Sequence, residues 1–221
     1  SESSAGIGIL AESSADNITS VINDSGAVIE MPYAGIGIYL DSLELGGSII
    51  NAGTIVSSQA DALGIYAKMS ASGSLATPAA TITNTGDIKL SDNGFGIFAD
   101  NSIITNSGTI TVDDPVLNSI IAIYGGRSSQ ITNTGGSISV GEGGIAFYGD
   151  NTEMIISGGT FSTENGTLIY GENGTKIIYT AEGTTLGNKI GIYLDQSKID
   201  FGGKNFSVAD SGSAVYLLGA N

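Results

Sequence analysis

The chain has 221 residues, 41% of them hydrophobic, with 22 acidic and seven basic residues and a net charge of −15. Cys and His are absent, which excludes disulfides, thiol nucleophiles, imidazole bases and the usual zinc sites, and no cofactor or metal is expected. The charge repels phosphate backbones and anionic lipid, so neither nucleic acid nor direct membrane insertion is expected of this segment, and the apolar runs are too short for a transmembrane helix or a signal peptide.

In chain order, the first predicted strand is anchored by Ile9 and followed by Leu10, an insertion from Ala11 to Ser20, and Val21-Ile22-Asn23. The second unit repeats the plan as Ile38-Tyr39, an insertion from Asp41 to Gly47, Ile49-Ile50-Asn51 and Thr54-Ile55-Val56. The third carries Ile65-Tyr66, the longest predicted loop from Ala67 to Ala80, and Ile82-Thr83-Asn84-Thr85-Gly86-Asp87-Ile88. The fourth and fifth are tighter: Ile97-Phe98 leads to Ile104-Thr105-Asn106, and Ile123-Tyr124 to Ile131-Thr132-Asn133. Beyond Asn133 the ring returns as Tyr148, Tyr170, Tyr193 and Tyr216, but Gly-Gly pairs at Gly158-Gly159 and Gly202-Gly203 replace the Asn bend, which predicts a slimmer C-terminal half.

Self-similarity at 22 to 32 residues marks an array whose repeats bury their apolar faces only against neighbours. Short β-branched strands recurring in one order with no helical period stack in parallel, since hairpins would reverse equivalent strands. The predicted fold is therefore all-β: one right-handed parallel β-helix over 1–221, with three sheets and about nine coils. Asn23, Asn51, Asn84, Asn106 and Asn133 fall at one bend, where Asn tolerates the left-handed conformation and its amide can bond the Asn above and below. Alternation places Ile36, Ile38 and Leu40 on the inner face and Gly37, Tyr39 and Asp41 on the outer one, with the small residue two before each ring leaving space for it.

The outward rings edged by carboxylates offer two readings. A column with Tyr39, Tyr66, Phe98 and Asp41 has the chemistry of a glycan-binding strip, yet a column repeated in eight coils is also what strand stacking alone produces, which is the preferred reading. The three insertions stack into a crest at one corner, where solenoids carry binding function, and Lys68-Met69 is the basic, apolar contact predicted within its longest loop. An enzyme is disfavoured. Polygalacturonases need a Gly-His-Gly motif, and a pectate lyase needs calcium-holding carboxylates beside an Arg or Lys. Here the one adjacent acidic pair is Asp113-Asp114 and the one Arg is Arg127.

The Ile-Thr-Asn-Thr/Ser-Gly-x-Ile units at 82–88, 104–110 and 131–138, with Gly-Ile-Tyr/Phe strands at 37–39, 64–66, 96–98 and 191–193, resemble passenger domains of type V autotransporters. The look is closest to the very long outer-membrane adhesins of fusobacteria. That resemblance implies a fragment of a longer chain displayed at the bacterial cell surface, with a host or bacterial surface protein or glycan as partner. Self-association through unpaired end strands is a further expectation.

Overall fold

The computed structural model describes residues 6–14, 17–31, 34–42, 46–69, 80–91, 93–113, 120–182, 190–206 and 212–219. The first four coils each supply three strands: β1 (Gly6–Ser13), β2 (Ser20–Asn23) and β3 (Val28–Met31); β4 (Gly35–Ser42), β5 (Gly47–Asn51) and β6 (Thr54–Ser57); β7 (Leu63–Met69), β8 (Ala80–Asn84) and β9 (Asp87–Ser91); β10 (Phe95–Asp100), β11 (Ile103–Asn106) and β12 (Thr109–Asp113). Two longer-stranded coils follow, β13 (Ile121–Gly126) with β14 (Gln130–Val140) and β15 (Ile145–Asp150) with β16 (Glu153–Thr163). The chain then runs through β17 (Thr167–Glu172), β18 (Lys176–Tyr179), β19 (Ile190–Asp195), β20 (Lys198–Asp200) and β21 (Ser213–Leu218).

Every pairing between these strands is parallel, and each strand bonds its counterpart one coil away, so the chain is a parallel β-solenoid. One side is a nine-stranded sheet ordered β1-β4-β7-β10-β13-β15-β17-β19-β21. The other two sides are not fully separate, as three sheets would require: β14 and β16 pass the second corner unbroken and join them into one twelve-stranded sheet. Gly135-Gly136 and Gly158-Gly159 permit this, because the register shifts between Asn133 and Ser137 let one strand bend without leaving the ladder. Nine ring-bearing strands also overstate the turns. Six coils close on all three sides among the described residues, giving about seven turns rather than nine.

The core is three aliphatic columns, one per side. Ile38, Ile65, Ile97, Ile123, Phe147, Ile169 and Ile192 from the first side meet Ile49, Ile82, Ile104 and Ile131 from the second and Ile55, Ile88, Ile110 and Ile138 from the third, all fully buried. Each Ile loses its water only because the coils above and below repeat it. Truncating one to Ala costs about 2–5 kcal/mol.

Strict alternation fails at one place. Ile36 is half exposed, while Gly37 and Ile38 are both buried, so two consecutive residues turn inward. A Cβ on Gly37, Gly64 or Gly96 would stand 2.6 Å from the Cγ2 of Ile55, Ile88 or Ile110 respectively. The small residue two before the ring thus makes room for the opposite wall of the core and not for the ring, which corrects the assignment of Ile36 to the interior and Gly37 to the outer face.

Candidate functional site

The Asn bend is a continuous hydrogen-bonded ladder. Asn23, Asn51, Asn84 and Asn106 each donate from Nδ2 to the Oδ1 of the next Asn at 2.7 Å, and Asn133 ends the run by donating to the Gly158 carbonyl at 2.6 Å. All five are buried, so each amide must find its partners inside the protein. Their backbones do not take the left-handed conformation expected of them. Among the described residues the Asn with positive φ are Asn93, Asn101, Asn151, Asn165 and Asn173, and the ladder rests on amide pairing with added Nδ2 bonds to backbone carbonyls. The Gly two residues on is required by close approach: a Cβ on Gly86 or Gly108 would collide with the carbonyl oxygen of Gly53 or Gly86 in the coil before.

The ring column faces outward, each ring half exposed from Tyr39 to Tyr193. Tyr148, Tyr170, Tyr193 and Tyr216 stack at 4.7 to 5.1 Å with interplanar angles of 8 to 17°, and Tyr39 stacks on Tyr66 at 5.2 Å. Ring faces within the stack are turned to one another, so hydroxyls and edges are what the column presents to solvent. Tyr124 and Tyr148 are tilted by 34° at 5.2 Å, and one junction breaks the stack. Phe98 meets Tyr66 edge-on at 67° and is itself met edge-on by Phe95.

Tyr39, Asp41, Tyr66 and Lys68 come together as one patch beside that break. Tyr39 donates its hydroxyl to Asp41 at 3.1 Å, while Lys68 lies 3.7 Å from the same carboxylate and 5.6 Å from the Tyr39 ring centroid. Lys68 is therefore engaged within the protein, and it lies in β7, as does Met69, rather than in a loop. The Met69 side chain, about half of the predicted crest (residues 15–16, 43–45 and 70–79) and Asp114-Pro115 lie outside the described residues.

Burial raises the phenol pKa values of Tyr39, Tyr124, Tyr148 and Tyr170, and the neighbouring carboxylates add to it. Tyr124 is pushed up to about 12 by desolvation, then by Asp100, Asp150 and Glu172. Tyr148 is raised further by burial and by its 2.7 Å hydrogen bond to Glu172. Asp100 is also raised, by burial first and by Asp150, against the opposing pull of Arg127, which lies 3.6 Å away.

The corner between the first and second sides holds features not read from the sequence. In coils one to three it carries the insertions; from the fourth coil on it closes in a few residues, with Asn101, Arg127, Ser128, Asn151, Asn173 and Gln196 at positive φ. Behind them Ser129, Thr152 and Thr175 turn their hydroxyls inward onto the carbonyls of Gly126, Gly125 and Gly149 at 2.6 to 2.9 Å, a second internal ladder. Outside them runs a shallow polar groove, lined by Ser128, Gln130, Asn151 and Glu153 at one end and by Asn173, Lys176, Gln196 and Lys198 at the other. Residue identity varies along this corner, so no spacing motif reveals it; only the common position after each ring-bearing strand does. Arg127 sits on this corner and Asp113 ends β12 on the third side, so the structure does not bring them together. Among the described residues, no group of three Asp or Glu could hold a metal ion.

No curated protein and no solved structure matches the chain. A family model described as the BigA third pectate lyase-like domain matches residues 2–133 and ends on the last Asn of the ladder. Matched over more than half its length and folded as a parallel β-solenoid, the chain belongs to the family of the BigA third pectate lyase-like domain.

Proposed function

We propose that this chain is a non-enzymatic segment of a bacterial surface adhesin, of the type V autotransporter kind and near the fusobacterial outer-membrane adhesins, that spaces and presents a contact edge to other cells. The observation that carries the reading is the shared corner: insertions in three adjacent coils and a polar groove in the later coils lie along one edge of a rod built from hydrogen-bonded ladders. BigA is itself an autotransporter-like adhesin, which supports surface display. Arg127 is paired to Asp100 and removed from Asp113, which supports a scaffold over a uronate-cleaving centre. Pectate lyase-like describes a fold, and folds host many functions. The partner is a surface protein or glycan, and β1 and β21, which pair on one side only among the described residues and expose Ile7, Leu10, Leu217 and Leu218, add association with a second copy.

The test is binding of the labelled segment to host cells and to other bacteria, with and without residues 70–79. Binding that weakens on deletion is expected. Release of unsaturated or reducing ends from polygalacturonate would overturn the reading.

A further inference from the structure

Seven basic residues serve a chain of net charge −15, and four of them are neutralised in place: Lys68 by Asp41, Lys89 by Asp87, Arg127 by Asp100 and Lys204 by Glu182. Lys189 lies outside the described residues. Lys176 and Lys198 remain. They are direct register partners in β18 and β20, about 4.8 Å apart along the backbone, and among the described residues no carboxylate pairs with either. Like charges facing each other across a ladder destabilise it. In so acidic a chain, two adjacent ammonium groups without an ion pair among the described residues mark a place where an anion from outside can be held.

The surroundings define that anion's chemistry. Both lysines line the groove at the first corner with Asn173, Gly174, Thr175, Gln196 and Ser197. Among the described residues the Gln196 side chain has no hydrogen-bond partner, whereas Asn173 is held by Asp150, Thr175 by the Gly149 carbonyl and Ser197 by that of Asp195. The unspent groups are therefore two ammonium groups and one amide, a set that takes a carboxylate and an adjacent hydroxyl. No aromatic or aliphatic side chain lines this stretch, so it lacks the apolar anchors that peptide grooves use. Glu153, register partner of Lys176, lies at the far side and bounds the anion-attracting length to the span from Lys176 to Lys198.

We propose that this groove binds the carboxylate of an acidic sugar within a glycan. The assignment deepens the adhesion reading by naming the ligand class, and it places the contact in the C-terminal coils, beyond the residues that the family model matches.

Calorimetry or chemical-shift titration with digalacturonate and with 3′-sialyllactose, against lactose and maltose as neutral probes, tests it and separates the two sources of carboxylate. Binding of at least one acidic sugar, no binding of the neutral ones, a fall in affinity with rising salt, and at least tenfold weakening in K176A/K198A are expected. Both lysines are exposed, so the double variant folds, as circular dichroism would verify. Equal affinity for neutral sugars, unchanged affinity in the double variant, or equal binding of a hexaglutamate peptide would overturn it. Cell binding by wild type that survives in K176A/K198A would defeat the groove and leave the adhesion reading standing. Sugar binding without cell binding would do the reverse.

Discussion

The coils up to Asn133 and the coils after it solve the same corner in different ways. Before it, a buried amide ladder crosses five coils; after it, the register partners of Asn133 are Ile156 and then Tyr179, both fully buried. Phe161, Phe147, Phe201 and Phe206 fill the space about them, with Tyr179 meeting Phe206 edge-on at 5.3 Å and Phe147 meeting Phe161 at 5.5 Å. One region satisfies polar groups in a line, and the other removes them and packs rings. An Asn ladder tolerates no gap because each amide depends on both neighbours, whereas an apolar corner can take residues of several sizes. The change of corner coincides with the end of the family match at Asn133.

Breaking each solution separately measures it. Tyr179→Ala should have the largest effect, about 3–5 kcal/mol of stability by analogy with large aromatic truncations. Nearest-neighbour coupling confines the damage, so hydrogen exchange should rise in the C-terminal coils while the Asn coils stay protected. Loss of protection across the whole chain would show one cooperative unit. Asn84→Ala should follow, leaving the Asn51 donor and the Asn106 acceptor short of a partner at about 1–3 kcal/mol each, read from urea denaturation. A penalty larger than that for Tyr179→Ala would invert the ranking of the two corners.

Gly64→Ala probes the inner wall shared by both regions. Its Cβ would meet the Gly96 carbonyl oxygen at 2.5 Å, so a loss of about 1–3 kcal/mol is expected in the melting profile. The smallest effect is in pH. Tyr124 has its folded pKa raised from 10.0 to about 12, so the folded state holds its proton where the unfolded state has released it. Its contribution is complete below pH 10 and is lost as pH climbs towards 12; absorbance titration of phenolate should show Tyr124 and Tyr148 ionising above the ordinary phenol range. Ionisation of Tyr124 near pH 10 would contradict the burial seen at its ring.

Much of this was legible residue by residue. The ring after each buried aliphatic, the Asn column and the change after Asn133 are sequence patterns because stacking forces the same chemistry to recur in every coil. The inward turn of Gly37 was not, because a local break in alternation leaves the composition of a strand unchanged. The corner groove was hidden for another reason: Arg127, Asn151, Asn173 and Gln196 share a backbone conformation and not a side chain.

Sequence alone therefore determined the parallel stacking, the enclosed Ile columns and the outward phenols, since periodicity and the cost of burying charge admit one arrangement. Tertiary structure decided how the corners close, which lysines find carboxylates and which are left facing each other across β18 and β20. The facing of Lys176 and Lys198 and the pairing of Lys68 with Asp41 depend on contacts between residues more than 20 positions apart, where register and side-chain reach act together and no local pattern records the result.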